Sequence, residues 1–103
     1  MVALLNDSNF EQEVLNGVVV VDFWAEWCGP CKAMAPVFEA AAKDFDGKIK
    51  FAKVNVDESP NVAGNHGIRS IPTFIAFKDG KKVDSKVGGM TKTQLDSWLK
   101  SLA

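Results

Sequence analysis

Two cysteines, Cys28 and Cys31, are the residues of this sequence best equipped for chemistry, and the chain has no others. Residues three apart in a first helical turn have Cα atoms about 5 Å apart, within the range of a disulfide bond. A disulfide here closes a loop of four residues. By chain entropy such a loop stabilises a fold by about 2 kcal/mol, against about 3 kcal/mol for a fifteen-residue loop. The pair is therefore a weak structural staple but a good reversible switch, because the second thiol is always within reach of the first.

The position of the pair favours reactivity. An apolar strand, Val18–Trp24, is predicted before the cysteines and a long helix after them. A helix N-terminus stabilises an anion by up to ~2 kcal/mol, or about one and a half pKa units, and so favours a thiolate. Pro30 has no N–H group, which leaves the amides after it and the Cys31 thiol as donors to the Cys28 sulfur. We assign Cys28 as the attacking thiol and Cys31 as the resolving thiol.

A zinc site is the alternative interpretation of two cysteines at this spacing. A closed structural site needs two further ligands of the right kind. The chain offers no other cysteine and a single histidine, His66, which we expect to be an exposed helix-end residue. We therefore predict a redox pair and no metal site.

Composition places the chain among ordinary globular proteins. It has 103 residues, of which 47% are hydrophobic and 24% charged, and its formal net charge is -1. We expect a single domain over residues 1–103, acting as a monomer. The balanced charge disfavours nucleic acid and anionic membrane as partners. The longest apolar run, Val18–Val21, is far shorter than the ~20 residues that span a bilayer. With no secretory signal predicted either, we expect a cytoplasmic location.

The predicted elements alternate along the chain in the order βαβαβαββα. Strands are predicted at Val2–Leu5, Val18–Trp24, Ile49–Val56, Thr73–Phe77 and Val83–Val87. Helix-capping signals lie at Asn6-Asp7-Ser8, Ser59-Pro60 and Thr91 to Gln94. Phe10, Val14 and Leu15 fall at helical spacing and predict the first helix, which Asn16-Gly17 ends. Trp24 and Trp98 are assigned mainly to the core. Strands separated by helices favour parallel pairing, and the last two strands form a hairpin, which predicts an α/β fold with a mixed sheet between helices.

Asp22 and Lys53 are charged residues within apolar strands. A buried Asp22 carries a raised pKa and can exchange a proton near neutral pH, as deprotonation of Cys31 requires. The alternative is a strand-end Asp22 that points into solvent. Lys53 either faces outward or lies near Asp22 and lowers the pKa of that carboxyl.

The segment Trp24–Lys32, which contains Cys28-Gly29-Pro30-Cys31, resembles the active-site segment of the thioredoxin family. A CxxC pair alone has little specificity, but the likeness extends along almost the whole chain. It includes Asp22-Phe23, Pro36, Lys53, Ile71-Pro72-Thr73, Phe77 with Gly80, and Val87-Gly88. Ser70 departs from the family pattern, which often has a small residue such as glycine before the Ile-Pro pair. The difference affects the surface on which a partner docks.

The resemblance implies a thioredoxin fold, with a five-stranded mixed sheet flanked by four helices. It implies a general protein-disulfide reductase with a redox disulfide between Cys28 and Cys31 and no bound cofactor. A separate flavin-dependent thioredoxin reductase that uses NADPH restores the dithiol. Asp22 matches the buried acid beneath the cysteines, Lys53 its neighbour, and Pro72 a cis-proline that faces the cysteines.

A small apolar surface around Cys28 is predicted to bind disulfide-containing targets. Its members are Trp27, Pro30, Ile71, Val87, Gly88 and Gly89. The Ile71 backbone is expected to pair with an extended target segment. Core or turn packing is the alternative for these residues, most of all for Val87.

Two rival functions remain open at the level of sequence. A thiol oxidase or isomerase uses the same chemistry, but Gly29-Pro30 resembles the reducing branch, whereas oxidising relatives commonly have a histidine in this loop. The other rival is a redox-silent binding module that uses the same apolar surface for docking.

Overall fold

The computed structural model describes all 103 residues. Its five strands are β1 (Val2–Leu5), β2 (Val18–Trp24), β3 (Lys50–Asn55), β4 (Thr73–Lys78) and β5 (Lys81–Val87). Its four helices are α1 (Phe10–Glu13), α2 (Gly29–Asp44), α3 (Pro60–Asn65) and α4 (Lys92–Leu102). This order confirms the predicted succession of elements.

The strands form one mixed sheet in the order β1-β3-β2-β4-β5. β3 runs parallel to both β1 and β2, while β4 is antiparallel to β2 and to β5. The β4–β5 hairpin turns at Asp79 and Gly80, whose φ angles of 50° and 86° suit a two-residue turn. Because the turn needs only these two residues, β5 begins at Lys81 and not at the predicted Val83. The thioredoxin fold implied by the resemblance is confirmed.

Each face of the sheet is covered by helices and carries its own core. The first core, under α2 and α4, consists of Val20, Met34, Phe38, Ala41, Ala42, Phe45, Ile49, Phe51, Phe74, Ala76, Leu95, Trp98 and Leu99. The second core, under α1 and α3, consists of Leu5, Phe10, Val14, Val19, Val21, Phe23, Ala52, Val54, Val62, Ile75 and Phe77. Successive residues of β2 therefore alternate between the two cores, as the pleat requires.

The start of α1 agrees in part with its prediction. The residue before the helix is Asn9, whose side chain makes no cap hydrogen bond to it. Within the predicted capping segment, Asn6 Oδ1 accepts from the backbone N–H groups of Ser8 and Asn9, at 2.8 and 3.1 Å, in the turn that leads into α1. Asp7 instead accepts a hydrogen bond from the backbone N–H of Val62, at 2.9 Å, at the start of α3. Leu15, which was predicted to lie within this helix, is outside it and 53% exposed, because α1 ends at Glu13 and the chain leaves the helical path.

His66 follows α3 and is half-buried, so the prediction of an exposed residue was wrong. Its ring packs against the rings of Phe10, Phe23 and Phe77, with centroid distances of 5.1, 6.1 and 5.5 Å. Its Nδ1 atom lies 2.9 Å from the carbonyl oxygen of Val62. The three ring contacts come from α1, β2 and β4, and only tertiary packing brings these residues together.

None of the four helices combines the length and the apolar character needed to cross a membrane.

Candidate functional site

The two cysteines lie where β2 gives way to α2. Cys28 is the N-cap residue of α2, with an extended backbone, and Cys31 lies in the first turn. They are joined by a disulfide bond, and their Cα atoms are 5.3 Å apart. The backbone N–H of Cys31 donates to the Cys28 sulfur at 3.2 Å. The sulfur therefore occupies the place where an N-cap oxygen normally lies, facing the positive end of the helix.

A small cluster surrounds the disulfide. Ala25, Cys28 and Cys31 are buried together, and Trp24, Val56 and Ile71 pack against them. Cys28 is 4% exposed and Cys31 is 2% exposed, so little more than the edge of the disulfide meets solvent. The apolar surroundings exclude water from the sulfurs, while the helix N-terminus supplies the polar group that an anion at Cys28 needs.

Asp22 lies on the sheet face that α2 covers. It lies two residues beyond Val20 on β2, on the same face as that member of the first core, and is only 1% exposed. Its Oδ1 atom is fully buried and has no hydrogen-bond partner. Burial raises the pKa of Asp22 from 3.8 to about 7, although Lys53 acts in the opposite direction. The carboxyl is therefore poised to take up or release a proton near neutral pH.

Lys53 pairs with Asp22 across β2 and β3 and is half-buried. Its positive charge lowers the pKa of Asp22. The ammonium Nζ lies over the ring of Trp24, 4.5 Å from the centroid. Lys53 thus faces the same side of the sheet as Asp22 and does not extend freely into solvent.

The predicted docking residues form a rim around the disulfide. Trp27 is 71% exposed and Val87 is 69% exposed, which rejects core packing for both. Ile71 is half-buried, and its carbonyl oxygen lies 3.9 Å from the Cys28 sulfur. The Ile71–Pro72 peptide bond is cis, in agreement with what the resemblance implies.

The remaining predicted residues lie around this rim. Gly29 and Pro30 are exposed at the start of α2, next to Cys28. Gly88 and Gly89 follow β5, and the N–H of Gly88 donates to the carbonyl of Pro72 at 2.8 Å. The loop after β5 is thereby fixed beside the Ile71–Pro72 segment.

Two charged side chains flank the cysteines along the chain. Glu26 and Lys32 form an exposed ion pair at 3.8 Å. The structure holds no group of three or more His, Cys, Asp or Glu side chains that could bind a metal ion.

Asp57 is a site residue that the sequence analysis missed. Its carboxylate accepts a hydrogen bond from the indole N–H of Trp27 at 2.8 Å, and this bond orients the exposed ring. A signal for it exists, since Asp57 lies two residues after the end of β3 and Trp27 three residues after the end of β2. The ends of neighbouring parallel strands meet at one edge of a sheet, so residues after both strands are expected to lie close together.

Comparison with known proteins matches the chain to one family over nearly all of its length. The family model described as Thioredoxin covers residues 1–101. Thioredoxin 1 of Nostoc sp. is 54% identical over 99 residues, which is 94% of this chain and 92% of the relative. Thioredoxin of Pseudomonas aeruginosa is 48% identical over 97 residues, covering 92% and 90% of the two chains. Thioredoxin of Porphyra purpurea is 46% identical over 100 residues, covering 95% and 94%.

Proposed function

Because the chain belongs to the thioredoxin family and is a protein-disulfide oxidoreductase, we propose that it reduces disulfides in other proteins, with Cys28 as nucleophile and Cys31 as resolving thiol. One observation carries the assignment: the disulfide closes at the first turn of α2, with the Cys28 sulfur as the cap. Closing this bond from the dithiol releases two electrons and two protons, which is what reduction of one target disulfide consumes.

In the first step the Cys28 thiolate attacks one sulfur of the target disulfide. A bond forms between the Cys28 sulfur and that target sulfur, the target's own S–S bond breaks, and the second target sulfur leaves as a thiolate. The N–H of Cys31 and the helix N-terminus stabilise the Cys28 thiolate before attack.

In the second step Cys31 resolves the mixed disulfide. The Cys31 thiol transfers its proton to the Asp22 carboxylate, and the resulting thiolate attacks the Cys28 sulfur. The bond between Cys28 and the target breaks, the Cys28–Cys31 disulfide forms, and the target sulfur that was attacked in the first step leaves as a thiolate. The raised pKa of Asp22, about 7, supports its role as acceptor, because both of its protonation states are populated at neutral pH.

Target proteins dock on the exposed rim formed by Trp27, Ile71, Val87, Gly88 and Gly89, with Gly29, Pro30 and Pro72 shaping the surface around Cys28. The exposed fractions of Trp27 and Val87, 71% and 69%, support this role, since large apolar side chains are seldom left in water beside a nucleophile without a partner. The Ile71 backbone pairs with an extended target segment. Such backbone pairing does not depend on the side chains of the target and therefore suits a broad range of disulfide-containing proteins.

The wider setting follows from the same assignment. A separate flavin-dependent thioredoxin reductase, supplied with electrons by NADPH, returns the Cys28–Cys31 disulfide to the dithiol. The chain acts as a cytoplasmic monomer that uses neither nucleic acid nor membrane as partner. Sedimentation at several protein concentrations tests the monomer, with a concentration-dependent mass as the contrary result.

Reduction of insulin disulfides is the direct test of the function. We expect precipitation of the insulin B chain when the protein is supplied with NADPH and a thioredoxin reductase, or with dithiothreitol. The variant with Cys28→Ser and Cys31→Ser is the control and is expected to be inactive. A wild-type protein no faster than this control overturns the proposal.

The same double variant separates the reductase from a redox-silent binding module, which keeps its biological role without either cysteine. An oxidase or isomerase is distinguished by the redox poise of the disulfide. Equilibration with glutathione measures that poise, and we expect a reducing protein whose disulfide persists in reduced glutathione.

A further inference from the structure

The surroundings of Lys53 contain a contact that the exchange mechanism does not use. The Lys53 ammonium lies 4.5 Å from the centroid of the Trp24 ring. Lys53 takes part in none of the four ion pairs of the chain. The ring face is therefore the partner that the structure gives this cation, in spite of a buried carboxylate directly across the strands at Asp22.

Trp24 touches both halves of the site. Its side chain packs against the cluster of Ala25, Cys28 and Cys31, and its ring face receives the Lys53 ammonium. The three strand positions involved share one face of the sheet, since Trp24 is two residues beyond Asp22 and Lys53 is the cross-strand neighbour of Asp22.

We propose that Trp24 is a positioning residue: its indole ring holds the Lys53 ammonium beside Asp22, near enough to act on the carboxyl but not paired with it. The inference rests on the proposed role of Asp22 as proton acceptor for its functional meaning. Its physical content, the anchoring of a cation by a ring face, is independent of that role.

The two alternatives to this position are both unfavourable for proton exchange. An ammonium bonded directly to the carboxylate holds Asp22 ionised, so that the carboxyl cannot retain and return a proton. An ammonium that moves out into solvent leaves burial unopposed and keeps Asp22 protonated, so that it cannot accept a proton. An ammonium anchored on the Trp24 ring lowers the pKa of Asp22 by an intermediate amount, between these two extremes.

Lys53 is the only charged side chain that faces Asp22 from the elements packed around it. The residue opposite Asp22 on β4 is Phe74. The buried residues of α2 are uncharged in the oxidised protein: Cys31, Met34, Phe38, Ala41 and Ala42. Moving Lys53 is consequently the way in which a change at Trp24 reaches Asp22 electrostatically.

The test is a double-mutant cycle in which the titration midpoint of the Asp22 carboxyl is measured. Trp24→Leu and Trp24→Phe are made in the wild-type background and in Lys53→Met, and the Asp22 carboxyl carbon of the oxidised protein is titrated by NMR. In the wild-type background we expect Trp24→Leu to move the titration midpoint upward by about 0.3–0.7 pH unit, because a freed ammonium moves toward water and away from Asp22. Trp24→Phe keeps a weaker ring face and moves the midpoint less.

In the Lys53→Met background the same Trp24 substitutions are expected to leave the midpoint nearly unchanged. Equal displacements in the two backgrounds overturn the proposal, since Trp24 then acts by shielding Asp22 from water. A downward displacement in the wild-type background also overturns it.

Two controls keep the result interpretable. Trp98→Phe reduces packing in the first core without touching Lys53, and we expect no displacement of the Asp22 midpoint. If Trp24→Leu does not fold, the comparison of Trp24→Phe with wild type in both backgrounds decides the question. Turnover that is unchanged in Asp22→Asn contradicts the proposed proton transfer but leaves the titration cycle valid, so the two failures are distinguishable.

Discussion

At the scale of the single residue, Asp22 imposes an energetic cost on the fold. Burial raises its pKa from 3.8 to about 7, so the folded protein keeps this proton over a range in which the unfolded chain has lost it. Between about pH 4 and pH 7 the folded state therefore binds more protons, and the free energy of unfolding falls as pH rises. The whole loss is on the order of 4 kcal/mol.

Asp22→Asn removes the ionisable group. We expect this variant to be more stable than wild type by about 4 kcal/mol at pH 8 and of similar stability at pH 4, because the unfavourable ionisation of Asp22 no longer occurs. Urea unfolding at both pH values measures the difference. Insulin reduction is expected to slow, since Cys31 loses its proton acceptor. A variant whose stability gain is the same at both pH values contradicts the assignment of the buried charge.

The order of attack is also a property of single residues. Cys31→Ser is expected to accumulate mixed disulfides with target proteins through Cys28, because the first exchange proceeds and the resolving thiol is missing. Non-reducing electrophoresis followed by mass spectrometry identifies the linked cysteine. Cys28→Ser is the matched control and should trap no target, and stable capture through Cys31 in that control would reverse the two roles.

At the scale of the element, the contact between Asp7 and α3 joins two parts of the chain that are remote in sequence. Asp7 accepts from the N–H of Val62 at 2.9 Å and so supplies a partner to the first turn of α3, which its own N-cap Ser59 does not cap through its side chain. A carboxylate at a helix N-terminus is favourable for the same reason as the thiolate at α2.

Asp7→Ala is expected to lower the free energy of unfolding by about 1 kcal/mol, because a helix N-terminus loses its hydrogen-bond acceptor. Amide exchange at Val62 should accelerate more than exchange elsewhere. Asp46→Ala, which removes an exposed carboxylate that makes no side-chain hydrogen bond, is the control and should change stability by less than about 0.5 kcal/mol. Equal effects of the two substitutions would rule out a specific cap.

At the scale of the whole molecule, stability depends on two cores that share one sheet. Leu99 is 0% exposed in the first core, whereas Leu4 on the edge strand β1 is 73% exposed. Leu99→Ala is expected to cost about 2–5 kcal/mol, because it leaves a cavity that the neighbours fill only in part. Leu4→Ala is the matched control and should cost less than about 0.5 kcal/mol.

Thermal unfolding monitored by far-UV circular dichroism and by tryptophan fluorescence measures both variants. We expect the two probes to give one coincident transition that moves to lower temperature in Leu99→Ala, because β2, β3 and β4 each contribute buried residues to both cores. Separate transitions for the two probes would contradict this coupling.

Much of the fold could be predicted from the sequence, because the patterns that indicate its strands and helices are local in the chain. The apolar run Val18–Trp24 predicts a strand covered on both faces, and it occupies those residues. The capping box at Thr91 and Gln94 predicts the start of α4, and both of its hydrogen bonds are present. Periodicity and caps involve residues within a few positions of one another, so they can be recognised without knowledge of the tertiary structure.

Less of the candidate site than of the fold could be predicted from the sequence. The sequence alone determined the CxxC pair, its placement between a strand and a helix, and a charged residue at Asp22 where an apolar one is expected. Only the tertiary structure decided that Asp57 orients Trp27, that Trp24 receives the Lys53 ammonium, and that His66 lies among phenylalanine rings. The physical reason is that these contacts join segments far apart in the chain, and their distances are set by how sheet and helices pack.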